Sequence, residues 1–150
     1  MDSMARVMSF NVNGIRARLH QIEKVLEQHK PDILGLQEIK VSDEEFPVEA
    51  ITALGYNVDF FGQKGHYGVA LLSKVKATAV FRGFPSDDED AQRRMIHGKY
   101  LLNEKILHVI NGYFPQGESR KHPTKFPAKE KYYSDLTYYI SDSFTASDNV

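Results

Sequence analysis

Two polar residues of this 150-residue chain stand at the carboxyl ends of predicted strands. Glu38 directly follows the apolar run Ile33–Leu36, and Asn11 lies near the end of the strand predicted over Ala5–Val12. Ligands of α/β proteins bind beyond the carboxyl ends of strands, and a carboxylate oxygen beside an amide oxygen suits Mg²⁺ or Mn²⁺. Spacing alone leaves a second interpretation open, in which Glu38 is a solvated loop residue and Asn11 a turn former.

A second group of polar residues follows another apolar strand, in the loop Asn-Gly-Tyr-Phe-Pro-Gln-Gly-Glu-Ser over residues 111–119. A tyrosine hydroxyl, here that of Tyr113, can donate a hydrogen bond to a phosphate oxygen. Glycines allow backbone amides to approach an anion closely. The pattern therefore indicates a phosphate contact, although it is equally typical of a glycine- and proline-rich loop with a half-buried tyrosine.

The segment after this loop is locally basic. Residues 116–131 hold five basic residues against two acidic ones, namely Arg120, Lys121, Lys125, Lys129 and Lys131 against Glu118 and Glu130. A local excess of positive charge on a nearly neutral protein is what binding of a nucleic-acid backbone requires. Upstream, Gln92-Arg93-Arg94 offers arginine forks for phosphates. Both patterns also fit ordinary solvated charges, since the acidic stretch Asp87–Asp90 could pair with the arginines.

Composition excludes several other kinds of site and protein. Cysteine is absent, which rules out disulfides, thiolate metal sites and cysteine nucleophiles. The six histidines lack metal-binding spacing, and no Gly-x-Ser-x-Gly motif is present. A net charge of −1, 41% hydrophobic residues and the lack of a signal peptide or long apolar run predict a soluble, cytoplasmic chain.

Predicted strands and helices along the chain must position these residues. Helical spacing of Ile15, Leu19, Ile22 and Leu26 before Ile33–Leu36 predicts a right-handed βαβ unit with parallel strands. Further strands are predicted at Tyr56–Phe61, Val69–Ser73, Ala77–Arg82, Met95–Leu101 and Ile106–Tyr113, the last two joined by a turn at Asn103-Glu104. A final helix is predicted over Ala128–Phe144. Consecutive apolar residues at 33–36, 69–72 and 106–110 predict strands buried on both faces.

Five segments together resemble the bacterial exonuclease III family: SFNVNGIRAR, PDILGLQEIK, GQKGHYGVALLSK, AQRR and INGYFPQGESRKHPTKFPAK. The resemblance runs from about Arg6 to the end of the chain. LQE after a strand is shared by the whole endonuclease/exonuclease/phosphatase superfamily, whereas GQKGHYG and NGYFPQGES are more specific to the branch that acts on DNA. The fold that this resemblance implies is α/β, or α+β in some schemes: a deoxyribonuclease I-like β-sandwich flanked by helices.

The resemblance also implies roles for individual residues. Glu38 matches the metal-binding glutamate of the family, Asn11 the asparagine that supports the metal and the scissile phosphate, and Tyr113 the active-site tyrosine. Segments that face DNA in the family contain five further candidates, which are Arg93, Gln116, Lys125, Lys121 and Arg120.

The activity implied by the resemblance is that of a DNA-repair nuclease that depends on Mg²⁺ or Mn²⁺. It would act as a 3′-to-5′ exonuclease on duplex DNA, cleave 5′ to abasic sites and remove 3′-blocking phosphates. The implied partner is double-stranded DNA with abasic sites or 3′ ends, with no membrane and no obligate protein partner.

The sequence departs from the family pattern in one respect. Family members continue with a Gly-Asp-x-Asn motif, whose aspartate is thought to activate the attacking water, and with an Asp-His pair; neither occurs within residues 1–150. We therefore expect these residues to form the N-terminal part, roughly half, of one such domain. Two alternatives stay open, a catalytically inactive DNA-binding fragment and a sister-branch phosphodiesterase acting on a non-DNA phosphoester. The loop over residues 111–119 and the basic segment argue against the second.

Overall fold

The computed structural model describes residues 4–150 and divides the chain into two compact units. The first unit comprises residues up to Gly83, Gln92–Tyr113 and the last two residues, and the second comprises Phe84–Ala91 and Phe114–Asp148. The strands and helices are β1 (Val7–Asn11), α1 (Leu19–His29), β2 (Ile33–Gln37), α2 (Val48–Thr52), β3 (Asn57–Phe61), β4 (Val69–Ser73), β5 (Ala79–Arg82), β6 (Met95–Leu102), β7 (Lys105–Gly112) and α3 (Lys125–Ser143). None of the helices in the described residues is long and apolar enough to cross a membrane.

The first sheet has four strands in the order β1-β2-β4-β3. β1 and β2 are parallel and α1 connects them, so the predicted βαβ unit is confirmed. The helix ends at His29 because Lys30 adopts a left-handed conformation and donates its N–H to the carbonyl of Leu26, and Pro31 follows. The carboxyl ends of β1 and β2 therefore meet at one edge of the sheet.

The second sheet is an antiparallel arrangement of three strands in the order β5-β6-β7. β6 and β7 form the predicted hairpin, and both turn residues adopt positive φ, 51° at Asn103 and 66° at Glu104, as a two-residue hairpin turn requires. Met95 at the start of β6 pairs with Gly112 at the end of β7. Arg94 and Tyr113, which flank this pair, consequently lie at the same end of the hairpin.

Two apolar clusters hold the first unit together. One packs α1 and α2 against the first sheet, and the other lies between the two sheets. β2 and β4 contribute to both clusters and are buried at every position, as predicted. The prediction for residues 106–110 is wrong: Leu107 and Val109 pack into the core between the sheets, whereas Ile106 lies on the opposite face of β7 and is 47% exposed.

The second unit is built on α3 and an aromatic cluster. Phe84 packs edge-on against Tyr132 and Tyr139, with ring centroids 5.4 and 5.8 Å away. The helix begins at Lys125, three residues before the predicted start at Ala128. The N-cap residue Thr124 makes no side-chain hydrogen bond, and the backbone N–H of Lys125 is accepted instead by His122 Nδ1 at 2.9 Å, a contact that the sequence pattern did not indicate.

Candidate active site

Glu38 and Asn11 come together at the edge where β1 and β2 end. Asn11 is the register partner of Gln37, so Glu38 is the first residue beyond the pair. The Asn11 Nδ2 donates a hydrogen bond of 2.8 Å to Glu38 Oε1. The predicted neighbourhood of these two residues therefore exists, and the asparagine orients the carboxylate.

The amide of Asn11 presents its nitrogen, and not its oxygen, to the carboxylate. Its Oδ1 accepts the backbone N–H of Asn13 at 3.1 Å. The sequence pattern predicts an oxygen of Asn11 beside the carboxylate as a metal ligand. In the structure that oxygen accepts a hydrogen bond in an Asx turn while the nitrogen donates to Glu38, and the role of Asn11 as a metal ligand stays a prediction.

The backbone around Glu38 is held in an uncommon conformation. Glu38 and Lys40 have φ of 55° and 58°, in the left-handed region that costs non-glycine residues free energy. Flanking loops fix this segment from both sides: Gly14 N donates to Glu38 O at 2.8 Å, and Lys40 N donates to Tyr67 O at 3.0 Å. Hydrogen bonds from two neighbouring loops therefore hold the backbone segment that carries the Glu38 carboxylate.

Lys40 sets the electrostatics of the carboxylate. Its Nζ lies 3.5 Å from Glu38 Oε2 and donates to Asn13 Oδ1 at 2.6 Å. Burial would raise the pKa of Glu38, but hydrogen bonds from Asn11 and Tyr113 and the charge of Lys40 outweigh it and hold that pKa below its ordinary value. Glu38 is consequently ionised at neutral pH.

Tyr113 reaches the same carboxylate from the end of β7. Burial, together with the hydrogen bond and negative charge of Glu38, raises the pKa of Tyr113, so its hydroxyl keeps its proton as a donor. The structure thus brings all three predicted catalytic residues, Asn11, Glu38 and Tyr113, to one place in the first unit.

Arg94 packs against two neighbouring tyrosine rings beside this group. Its guanidinium carbon is 4.6 Å from the centroid of Tyr67 and 4.7 Å from that of Tyr113, and its Nη1 donates to the Tyr113 carbonyl at 3.1 Å. Stacking of this kind is a cation–π contact that a guanidinium makes well. The backbones are also joined, since Tyr113 N donates to Arg94 O at 2.8 Å.

Arg93, the arginine singled out from the sequence, has different surroundings. Its Nη1 donates to Gly62 O at 2.6 Å and lies 3.3 Å from Asp43 Oδ2, and its guanidinium stacks on Phe61. A role for Arg93 in DNA binding stays a prediction. Its contacts in the structure join the loop after β3 to the 3-10 turn that begins at Asp43.

The remaining predicted DNA-binding residues belong to the second unit. Gln116, Arg120, Lys121 and Lys125 are exposed there, ahead of α3 and at its first residue. Lys125 Nζ donates to Glu118 Oε1 at 2.7 Å, and His122 Nε2 lies 3.4 Å from the other carboxylate oxygen. Four exposed polar or basic side chains near one helix start fit a phosphate-binding surface, and that role stays a prediction.

Two residues of the site, Lys40 and Tyr67, were missed by reasoning from the sequence, and Arg94 was named there only as one of two candidate phosphate-binding arginines. Tyr67 lies in the loop over residues 62–68, which has glycines at positions 62, 65 and 68. The structure gives that loop a defined shape, with Tyr67 at φ 57° and Gly68 at φ 85°. A Cβ at Gly68 would lie 2.6 Å from Ile39 Cγ1, so this glycine permits the close approach to the strand end that carries Glu38.

The chain is similar to a known protein family and to several known proteins. The model of the endonuclease/exonuclease/phosphatase family matches residues 8–150. Exodeoxyribonuclease III of Haemophilus influenzae is 55% identical over 145 residues, which cover 97% of this chain and 54% of that protein. The DNA-(apurinic or apyrimidinic site) endonuclease of Dictyostelium discoideum is 28% identical over 122 residues, 79% of this chain and 32% of that protein.

Solved structures share the fold. The 3′ phosphatase NExo of Neisseria, bound to a product DNA hairpin, matches with a TM-score of 0.83 at 34% identity, over 93% of this chain and 52% of that one. An AP endonuclease from Archaeoglobus fulgidus matches with a TM-score of 0.82 at 35% identity, over 95% and 53%. The predicted β-sandwich class is therefore confirmed, and the chain spans about half the length of these proteins. Because the family model covers almost all of its residues, the chain belongs to the endonuclease/exonuclease/phosphatase family.

Proposed function

We propose that this chain carries the metal- and phosphate-binding residues of a DNA-repair nuclease of the exonuclease III type. One observation carries the proposal: Glu38, Asn11 and Tyr113 converge from the ends of three different strands. A carboxylate that can hold a cation, beside two hydrogen-bond donors, suits the hydrolysis of a phosphodiester. The names of the similar proteins, an exodeoxyribonuclease and an abasic-site endonuclease, support DNA as the substrate.

The residues present fit a hard divalent cation in part. Mg²⁺ in proteins is held by one or two carboxylates together with water and substrate phosphate oxygens. Glu38 offers one ionised carboxylate, whereas no group of three or more His, Asp or Glu within residues 4–150 could hold a metal. Glu38 would therefore hold Mg²⁺ or Mn²⁺ together with other groups and the substrate. When bound, the cation supplies Lewis-acid stabilisation of negative charge on the phosphate.

The chain's own donors would stabilise the transition state. The Tyr113 hydroxyl and the Asn11 amide donate to non-bridging phosphate oxygens as charge grows on them, and the pKa of Tyr113 keeps its proton available. One such donor is worth roughly 10²–10³-fold in rate in other enzymes. Arg94, stacked on Tyr113, holds that ring and adds positive charge next to it.

General-base catalysis needs a further group. The family resemblance assigns it to the aspartate of a Gly-Asp-x-Asn motif, which residues 1–150 do not contain. We propose that these residues are the N-terminal part of one nuclease domain and that the base comes from residues outside them. General-base assistance typically raises the reaction rate 10²–10⁴-fold, so a cleavage assay can detect its loss.

Duplex DNA with abasic sites or 3′ ends is the proposed substrate, and the exposed residues of the second unit are its proposed backbone contacts. Arg120, Lys121 and Lys125 would neutralise phosphates and Gln116 would donate hydrogen bonds. Such contacts position DNA without reading its sequence, as a repair enzyme requires. The cytoplasm is the proposed location.

A second candidate function is DNA binding without cleavage. The feature that favours it is the lack of the Gly-Asp-x-Asn and Asp-His motifs in this sequence. A protein of this kind would bind abasic duplex with a strong salt dependence and release no product.

A cleavage assay separates these functions. The protein is incubated with an abasic-site duplex, a recessed 3′ end and a 3′-phosphate duplex, with Mg²⁺ or with a chelator. Metal-dependent cleavage 5′ to the abasic site supports the nuclease, and binding without product supports the second candidate. Hydrolysis of sphingomyelin or an inositol phosphate in place of DNA would contradict both.

A further inference from the structure

A hydrogen-bonded polar cluster lies in the core between the two sheets. The inward-facing residues of β7 are Leu107, Val109 and Asn111, of which only Asn111 is polar. Its side chain is 6% exposed and its three hydrogen bonds are short. Nδ2 donates to Leu36 O at 2.9 Å and to Ala70 O at 2.8 Å, and Oδ1 accepts from Gln37 Nε2 at 2.7 Å. One amide of β7 is therefore anchored on β2 and on β4.

The first sheet has a recess that fits this amide. Gly35 is the middle residue of β2, and a Cβ there would lie 3.0 Å from Asn111 Cγ, closer than side chains normally approach. Gly35 does not have positive φ, so it serves here by its lack of a side chain. The missing side chain of Gly35 therefore leaves the space that the Asn111 side chain occupies between the two sheets.

The cluster reaches every strand that carries a residue of the proposed active site. Gln37 Nε2 also donates to Ser9 Oγ on β1 at 3.0 Å. Ser9 precedes Asn11 by two residues, Gln37 directly precedes Glu38, and Asn111 precedes Tyr113 by two residues. One hydrogen-bonded cluster thus spans the backbone positions from which all three functional side chains extend.

Such a cluster fixes the relative positions of the strands more than it contributes to the free energy of folding. Replacing hydrogen-bonded buried partners by apolar groups of the same shape is often nearly neutral for folding. Apolar contacts between sheets permit small sliding movements, whereas three directional hydrogen bonds fix where β7 stands relative to β2. A displacement of about 1 Å at reacting groups can cost about 100-fold in rate.

We propose that Asn111, acting through Gln37 and the β2 and β4 carbonyls, is a positioning residue that fixes the Tyr113 hydroxyl relative to the Glu38 carboxylate. This inference rests on the proposed nuclease function, because the positions matter only if these two groups act on the same phosphate. It adds a determinant of geometry that touches neither substrate nor metal.

The test compares Asn111→Leu with Ile96→Val in the full protein. Leu has nearly the shape of Asn without its hydrogen bonds. Ile96 is the register partner of Asn111 and lies in the same core, but outside the polar cluster. We expect kcat on an abasic duplex to fall about 100-fold in Asn111→Leu, with KM within about twofold of the parent. Ile96→Val should leave kcat unchanged although it also weakens the core.

A double-mutant cycle with Tyr113→Phe distinguishes positioning from general weakening. If Asn111 acts through the Tyr113 hydroxyl, Asn111→Leu should cost less than about threefold once that hydroxyl is gone. Losses that multiply in the double variant, or a fall in kcat that Ile96→Val reproduces, would overturn the inference.

A crystal structure of Asn111→Leu tests the positioning role of Asn111 independently of the proposed nuclease function. We expect the Tyr113 hydroxyl to have moved away from Glu38. An unmoved hydroxyl would overturn the inference whether or not the protein cleaves DNA. A parent protein that does not cleave would overturn the proposed function, and the structure would still report on positioning.

Discussion

Glu38 has its side chain at the rim of the first unit, 20% exposed and outside both apolar clusters. Replacing it by Gln removes the charge that holds a cation but keeps its size and its partner Asn11. We expect the cleavage rate at saturating Mg²⁺ to fall at least about 10³-fold, since metal-assisted charge stabilisation is worth several kcal/mol. The thermal unfolding midpoint should stay close to that of the parent. Glu23→Gln, at an exposed position of α1, is the control, and a parental rate for Glu38→Gln would refute the metal assignment.

Two adjacent arginines provide a matched pair for the stacking contact. Arg94→Lys keeps a positive charge but loses the flat guanidinium that packs on the rings of Tyr67 and Tyr113, a contact worth about 0.5–2 kcal/mol. We expect kcat to fall about 3- to 10-fold with little change in DNA affinity. Arg93→Lys loses contacts to Gly62 and Asp43, so it should lower the unfolding midpoint and leave kcat nearly unchanged. Equal kcat values for the two variants would contradict the role of Arg94.

At the scale of elements, the loop over residues 62–68 supports the strand end that carries Glu38. Gly65 and Gly68 both have positive φ, but a Cβ at Gly65 meets nothing within 4 Å, whereas one at Gly68 meets Ile39 at 2.6 Å. Both Ala substitutions therefore incur backbone strain, and only Gly68→Ala also displaces Ile39. We expect Gly68→Ala to lower the free energy of unfolding by about 1–3 kcal/mol more than Gly65→Ala. Equal losses in urea unfolding would show that the close approach has no energetic consequence.

The elements themselves were largely predictable from the sequence. The helical spacing of Ile22 and Leu26, the apolar run of β2 and the turn at Asn103-Glu104 each express a local rule, and each was confirmed. The start of α3 was placed too late: the N-cap residue Thr124 makes no side-chain hydrogen bond, and it is His122, outside the common capping pattern, that accepts the N–H of Lys125.

The site was predictable only where a strand end alone determines position. Asn11 is the last residue of β1, and Glu38 and Tyr113 directly follow β2 and β7, so the strand ends bring them together. Lys40 and Tyr67 depend on left-handed backbone at single residues, and Arg94 depends on the pairing of β6 with β7. The spacing of apolar residues predicts neither the left-handed backbone of a single residue nor the pairing of two strands. The hydrogen bonds of Asn111 depend on how the two sheets pack, and no local sequence pattern predicts that packing.

At the scale of the whole molecule, binding of a DNA backbone should depend on salt through the basic residues of the second unit. Replacing Lys121 and Lys125 together by Ala should weaken binding to all duplex sequences alike. It should also flatten the slope of log K against log salt by about one for each lost phosphate contact. Lys24→Ala, at an exposed position of α1, serves as the control. An unchanged slope in a salt titration of fluorescently labelled duplex would show that these lysines are merely solvated.

Stability of the molecule toward acid should depend on one buried histidine pair in the second sheet. His97 is 3% exposed, its Nε2 lies 2.9 Å from His108 Nδ1, and its ring packs on Phe81. Burial, and then the charge of His108, lower the pKa of His97 from 6.5 to about 4. Because the unfolded chain binds this proton more readily than the folded one, protonation favours unfolding. The contribution of His97 is complete above pH 6.5 and is lost as the pH falls through 4.

The difference between these two pKa values corresponds to at most about 3 kcal/mol. We therefore expect the free energy of unfolding, measured in urea, to decrease between pH 6.5 and 4, and to decrease less in His97→Gln. Gln has no charge to acquire and can still donate a hydrogen bond to His108. His20→Gln, at an exposed position, should follow the parent. If His97→Gln shows the parent's full pH dependence, the acid sensitivity comes from carboxylates, because their protonation is the other change in this range that favours unfolding.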